Sequence, residues 1–165
     1  MPVTDVQHDL DALTLTITAD FAAPVERVWE VYADPRQLER VWGPPGYPAT
    51  FVDHDLTVGS RSNYYMTSPE GEKYHGWWEV LAVDPPRRLE VRDGFADDDG
   101  RPNEDLPVGT MVVTLAERDS RTEMVITSHF PTLEAMEQVL AMGQEEGMVE
   151  ALGQIEVILA GPVPS

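Results

Sequence analysis

The chain has 165 residues, 42% of them hydrophobic, which is enough for one folded domain with a substantial core. Its 30 acidic and 11 basic residues give a formal net charge of −19, which disfavours nucleic acid and anionic membrane surfaces as partners. Cysteine is absent, which excludes disulfides, thiol nucleophiles and thiolate metal sites. The opening MPVTDVQHDLDAL lacks the basic start and apolar run of a signal peptide, so we expect a cytoplasmic protein.

The first elements predicted are a strand and two short helices. ALTLTITADF alternates apolar and polar residues, which is the pattern of a half-buried strand. APVERVWEVYADP and PRQLERVW carry apolar residues at helical spacing, and the prolines of GPPGYP end the second helix after Trp42. We expect this stiff loop to hold Trp42 and Tyr47 as a rigid rim above the sheet.

The rest of the chain predicts an antiparallel meander and then a long helix. From Ala49 to Phe130, short apolar runs alternate with turn signals, and the longest polar interruption, DGFADDDGRPNEDLPVG, predicts a mobile loop. Beyond Pro131 the helical period returns and predicts one helix from Thr132 to Ala160. Only this helix is long enough to cover the apolar face of the sheet.

Alternation along the strands predicts which side chains face inward. Adjacent strand residues point to opposite sides, so only one of Trp77 and Trp78 faces the interior. The parity of Gly76, Val80 and Ala82 selects Trp78. The same argument places the following residues on the inner face: Tyr64, Met66, Leu89, Val91, Met111, Val113, Leu115, Met124 and Ile126.

The chain shows little catalytic or metal-binding chemistry. It contains no nucleophile elbow, zincin pair, P-loop or dinucleotide-binding fingerprint. The four histidines are scattered singly, so we expect no metal and no cofactor. His54 shares parity with Val52 and Leu56, and this predicts that it faces the interior or forms a structural hydrogen bond.

Two glycines interrupt the carboxy-terminal helical pattern. Gly143 and Gly147 are four residues apart, on one face of the predicted helix, where each lowers helix stability relative to alanine. These glycines either allow the helix to pack closely on the sheet or the short helices, or leave space for a ligand. For Gly143 we predict ligand space, and therefore that Gly143→Ala stabilises the free protein.

Four ordered segments carry a resemblance to a known family. They are FAAPVERVWEVYADPRQLERVWGPPGYP, DLTVGSR, EGEKYHGWWEVLAVDPPRRLEV and HFPTLEAMEQVLAMGQEEGMVEALGQIEVIL. The chain thereby resembles the SRPBCC or START-like superfamily, specifically the homologues of the heat shock protein 90 ATPase activator. Ser60 and Val41 depart from that pattern, where the family often has glycine and tryptophan.

The resemblance implies an α+β helix-grip fold, in which a curved antiparallel sheet wraps around the long carboxy-terminal helix and encloses an apolar cavity. It implies one START-like domain over residues 8–160, with tails at 1–7 and 161–165. The residues expected to line the cavity and bind ligand are Trp29, Trp42, Tyr47, His54, Tyr64, Met66, Trp78, Val91, Met111, Met136, Leu140, Gly143 and Met148.

The predicted function is a non-enzymatic carrier or sensor of a small apolar or aromatic molecule, because no catalytic constellation is present. Two alternatives remain open. One is an enzyme of the cyclase or dehydratase kind found elsewhere in the superfamily, and the other is a chaperone-associated stress protein. The eukaryotic activator has an additional amino-terminal domain that these 165 residues lack, so chaperone activation is not implied. A homodimer is also left open.

Overall fold

The computed structural model of the protein describes residues 3–43, 46–99, 101–103, 105 and 108–160. Strands and helices within these ranges follow one another in the order that the sequence predicts, apart from one additional strand and one interrupted helix. In chain order they are β1 (Val3–Asp9), β2 (Thr14–Phe21), α1 (Val25–Ala33), α2 (Pro35–Trp42), β3 (Ala49–Asp53), β4 (Arg61–Thr67), β5 (Lys73–Asp84), β6 (Arg88–Phe95), β7 (Gly109–Arg118), β8 (Arg121–His129), α3 (Leu133–Ala141) and α4 (Gln144–Ala160).

The strands form one curved antiparallel sheet in the order β1-β2-β8-β7-β6-β5-β4-β3. Helix α4 packs on its concave side, where Leu152, Ile155 and Ile158 join the buried core. The amide Nε2 of Gln154 donates a hydrogen bond to the Gly43 carbonyl at 2.6 Å, which ties α4 to the end of α2. The predicted helix-grip fold is confirmed. None of the helices in the described ranges combines the length and apolar character of a membrane span.

The first strand was not predicted from the sequence, which assigns residues 1–7 to a tail. Val3–Asp9 instead pairs antiparallel with β2 at the edge of the sheet. Its side chains are mostly exposed and show no sustained alternation, because an edge strand contributes only a few residues to the core. Residues 161–165, the other predicted tail, lie outside the described residues.

Both adjacent tryptophans of β5 are buried, although on opposite faces of the sheet. Trp78 is 0% exposed and belongs to the core, as predicted. Trp77 is only 3% exposed, on the other face, where its ring covers Gly94 and lies near the guanidinium groups of Arg61 and Arg92. One of the pair faces inward, as expected, and the other forms a cation–π group with two arginines on the outer face.

A β-bulge corrects the predicted facing of the end of β5. The register shifts between Val80 and Ala82, so that Val83 pairs with Leu89 and packs against the core. Leu81 is 38% exposed. One extra residue in the strand reverses the alternation beyond it, and Ala82 does not continue the inward series that the sequence predicts.

The carboxy-terminal helix is interrupted, so the prediction of one helix from Thr132 to Ala160 is wrong. Helix α3 ends at Ala141, and Gly143 has a φ of +89°, in the left-handed region that favours glycine. Its N–H donates to the Leu140 carbonyl at 3.1 Å, and α4 then begins at Gln144. The sequence shows helical spacing on both sides of the break, which makes the two helices look continuous.

The two glycines should respond oppositely to alanine. Gly143→Ala should lower the free energy of unfolding by about 1–2 kcal/mol, because a Cβ is disfavoured at positive φ. This expectation replaces the stabilisation predicted from the sequence. Gly147→Ala should raise the free energy of unfolding by about 0.5–1 kcal/mol, because Gly147 lies inside α4 with no atom within 4 Å of an added Cβ. Urea denaturation of both variants tests this, and stabilisation by Gly143→Ala would contradict the break.

Candidate ligand cavity

A cavity of about 320 Å³ lies between the concave face of the sheet and the helices. Strands β4 to β8 supply its floor, and α2, α3 and α4 supply the opposite wall. Most of the surface is apolar, with Met66, Met111 and Ile126 on the sheet side. Methionine and aromatic side chains adapt their packing to varied apolar shapes, so this wall suits a hydrophobic molecule.

Helix α4 presents one continuous stripe to the cavity. Its members lie four or fewer residues apart on a single helical face: Gly147, Met148, Ala151, Leu152 and Ile155. The stripe combines small residues with larger apolar ones, and the small ones leave room between helix and sheet. No heavy atom lies within 4 Å of a Cβ placed on Gly147, so close packing does not explain this glycine.

One end of the cavity is closed by aromatic rings. The Trp42 ring lies edge-on to Tyr64, with ring centroids 6.0 Å apart, and edge-on to Trp78 at 4.7 Å. Phe51 stacks on Tyr64 at 5.0 Å. The Glu39 carboxylate accepts a hydrogen bond from the Phe51 backbone N–H at 2.7 Å, which holds α2, and with it Trp42, against β3. Pairs in these geometries stabilise each other beyond their simple burial.

A glycine allows the Tyr64 ring to lie flat against the sheet. A Cβ on Gly76, the β5 residue that pairs with Tyr64, would come within 2.5 Å of the ring carbon Cζ and the hydroxyl oxygen. Any larger residue at position 76 would therefore push the ring towards the cavity. Burial, and then the nearby negative charge of Asp93, raise the pKa of the Tyr64 hydroxyl, which stays protonated at physiological pH.

Asp93 is the one carboxylate in the cavity wall, as far as the described residues show. It pairs with Trp78 on one side and Gly109 on the other, so it shares the inner face of the sheet with the buried tryptophan. Burial raises the pKa of Asp93 to about 6, despite an opposing hydrogen bond from its own backbone N–H. Within the described residues, the cavity therefore combines a mostly apolar wall with a single carboxyl group.

His54 lies outside the cavity wall. Its Nε2–H donates to the Tyr32 carbonyl at 2.7 Å, and its Nδ1 accepts from the hydroxyl of Ser62 at 3.0 Å. Chiefly because of burial, its pKa is lowered, which favours this neutral form. Residue parity does not predict the side on which His54 lies, because the register shifts between Phe51 and Asp53, and Phe51 is buried whereas Val52 is 66% exposed. His54 therefore forms structural hydrogen bonds and does not line the cavity.

Six of the thirteen residues predicted to line the cavity border it in the structure: Trp42, Tyr64, Met66, Met111, Gly143 and Met148. They come from α2, from strands β4 and β7, and from the helix break and the first turns of α4. The structure brings them together around one space although they are distant in sequence. Pro44 and Pro45, on which the predicted rigid rim depends, lie outside the described residues.

The other seven predicted residues lie elsewhere. Trp78, Val91 and Met136 are completely buried among core side chains, because sheet and helices touch there without a gap. Trp29 and Leu140 are partly buried and pack against the same core. Tyr47 is 37% exposed, with its ring 6.4 Å from that of Tyr74. His54 completes the set, with the hydrogen bonds described above.

Asp93 was not predicted as a site residue, because the polar composition of residues 93–109 predicts a loop. Strand β6 instead continues to Phe95, and Ala96 then forms a bridge with Pro102. The alternation that places Leu89 and Val91 inward could have been extended by two residues to reach Asp93. Among the described residues, no group of three or more histidine, aspartate or glutamate side chains is arranged to hold a metal ion.

Comparison with known proteins gives a family match. The sequence model of the family described as "Activator of Hsp90 ATPase homolog 1-like protein" matches residues 22–160. No curated protein matches the chain.

Solved structures are similar over almost the whole chain. Protein Ms6760 from Mycobacterium smegmatis is 56% identical, with a TM-score of 0.90, and the match covers 99% of this chain and 100% of that one. A protein from Arthrobacter aurescens is 47% identical, with a TM-score of 0.93 and coverage of 98% and 94%. A protein from Staphylococcus epidermidis is 26% identical, with a TM-score of 0.83 and coverage of 98% and 97%.

Proposed function

Since the chain belongs to the Activator of Hsp90 ATPase homolog 1-like family, within the SRPBCC superfamily, we propose that it binds a small hydrophobic or aromatic molecule in the cavity described above. In this proposal the protein is a carrier or sensor rather than an enzyme. The observation that supports it is the apolar space between α4 and the sheet.

The size of the cavity suits a small molecule of up to about three aromatic rings. Ligand pockets generally start at about 300 Å³, and an apolar cavity of roughly 150 Å³ is sufficient for one benzene ring. The cavity here has about 320 Å³ and is bordered by Met111, Ile126 and Met148. Burying an apolar ligand against such side chains is favourable by about 25 cal/mol for each Å² removed from water.

A second candidate, an enzyme acting on a cavity-bound substrate, is favoured by one observation. The Tyr64 hydroxyl and the Asp93 carboxyl both border the cavity, and Asp93 has its pKa raised to about 6, within the range useful for proton transfer. Carrier and enzyme differ in one measurable result. A carrier returns its ligand unchanged, whereas an enzyme releases a product that mass spectrometry detects.

Binding can be tested with the neutral dye N-phenyl-1-naphthylamine, whose fluorescence rises in apolar surroundings. We expect saturable binding to the wild-type protein. Gly147→Leu should weaken binding at least tenfold, because the new side chain projects from the cavity stripe of α4 into open space. It should not unfold the protein, since leucine favours helix more than glycine does.

The matched control is Glu146→Leu, one residue earlier on the same helix at an exposed position outside the cavity wall. Its affinity for the dye should remain within about twofold of the wild-type value. Equal binding by the wild type and Gly147→Leu would contradict the proposed site, and absence of saturable binding would contradict the proposed function.

A further inference from the structure

Asp93 has an uncovered carboxyl group on the floor of the cavity. The residue opposite on β7 is Gly109, and a Cβ there would lie 3.6 Å from Asp93 Oδ1. Gly109 has no side chain to cover the carboxyl from β7, and the residue beside Asp93 on β5 is Trp78, whose ring is buried in the core and is not part of the cavity wall. The carboxyl therefore lies against open cavity space.

No partner within the described protein neutralises this carboxyl. All 11 lysine and arginine side chains fall within the described residues, and none forms an ion pair with Asp93. The adjacent Arg92 points to the opposite face, where it pairs with Glu79 at 3.3 Å and lies near Trp77. Within the same ranges, no other residue donates a side-chain hydrogen bond to Asp93.

A carboxylate in apolar surroundings is stabilised by an opposite charge that enters with it. From this geometry we propose that Asp93 receives the protonated amino group of a hydrophobic amine whose apolar part fills the cavity. The inference rests on the proposed function and deepens it by naming the ligand class. The rings of Trp42 and Phe95 border the same cavity, and an aromatic ring attracts an ammonium group that lies over its face.

Two further features favour a cation over a neutral hydrogen-bond donor. The net charge of −19 creates a field that concentrates small cations near the protein. With its pKa raised to about 6, Asp93 is mostly ionised at pH 7.5, so an ammonium group gains an ion pair where an alcohol gains only a hydrogen bond. An anionic ligand, by contrast, would meet a like charge.

The three tyrosines of the cavity wall do not compete with Asp93 between pH 5 and pH 8. Burial raises the pKa of Tyr32 and Tyr64, and the hydrogen bond to Glu72 raises that of Tyr74, so all three stay neutral. The His75 ring packs beside Tyr65, which lies on the other face of the sheet, and the His129 side chain is exposed. Helix α4 contributes no titratable side chain to the wall.

The test compares 4-phenylbutylamine with the neutral 4-phenylbutan-1-ol, which has nearly the same shape, by displacement of N-phenyl-1-naphthylamine at pH 7.5. We expect the amine to bind at least tenfold more tightly than the alcohol.

Asp93→Asn should abolish this preference while alcohol and dye still bind. The control Asp97→Asn removes an exposed carboxylate outside the cavity wall and should keep the preference. Lowering the pH to 5 should also reduce it in the wild type, since Asp93 is then largely protonated.

Equal affinities for amine and alcohol in the wild type would overturn the inference, as would an amine preference that survives Asp93→Asn. If the dye binds normally in either case, only the inference fails. If neither the dye nor the two phenyl compounds bind, the proposed function fails as well.

Discussion

Trp78→Ala is expected to lower the free energy of unfolding by about 3–5 kcal/mol and the melting temperature by roughly 10 °C. Trp78 is 0% exposed, and its ring contacts three others, those of Trp42, Phe51 and His54, at centroid distances of 4.7, 5.7 and 5.8 Å. Alanine would leave a large void where the sheet meets α2. Urea denaturation followed by circular dichroism at 222 nm measures the change without depending on tryptophan fluorescence.

Trp29→Ala is the matched control, because it removes the same side chain from α1, where Trp29 is only partly buried. Its destabilisation should be clearly smaller. If the Trp78 variant does not fold, Trp78→Phe should still fold with an intermediate loss, since a smaller ring keeps part of the contact. Equal losses for the two alanine variants would contradict the central packing of Trp78.

Asp93→Asn is expected to stabilise the protein at pH 7.5 and to have little effect near pH 4. Burial raises the pKa of Asp93 from its ordinary 3.8 to about 6, so the folded protein binds the proton more tightly than the unfolded chain. Between these values stability falls as pH rises, because the folded state must ionise a carboxyl that it holds in apolar surroundings. The full effect corresponds to about 3 kcal/mol, and water entering the cavity should reduce it to about 1–2 kcal/mol.

The measurement is the difference in free energy of unfolding between wild type and variant across pH 4 to 8. Using the difference removes the contribution of other carboxyls, such as Asp34, whose pKa the Gln37 hydrogen bond lowers. Asp97→Asn, at an exposed position, should show no comparable pH-dependent gain. A constant difference for Asp93→Asn across the range would contradict the burial of its carboxyl. Stabilisation would also show that loss of amine binding in this variant is not caused by unfolding.

Local patterns account for most of the elements and for most inward-facing strand residues. Leu89, Val91, Met111, Val113 and Leu115 are all buried, as alternation predicts. The predictions fail where one residue changes the local geometry. Bulges after Phe51 and Val80 reverse the facing of the residues that follow, and a backbone turn at Gly143 divides the long helix. The order of apolar and polar residues does not reveal an inserted residue or a positive φ, so neither feature could be predicted from it.

The sequence by itself determined the helix-grip fold, the family, the acidic character and the inner face of most strands. The fold and the family follow from the resemblance of four ordered segments to known proteins. The acidic character follows from composition, and the inner faces follow from periods of 2 and 3.6, which show which side of each element is apolar. Only the tertiary structure decided where the inner face is filled and where it is open. Trp78 and Met136 meet other side chains directly, whereas Met111 and Asp93 border a gap. The physical reason is that a gap depends on the separation between the sheet and α4, two surfaces brought together only by folding. Alternation can therefore place a residue on the inner face, but it does not tell whether a side chain or empty space lies opposite.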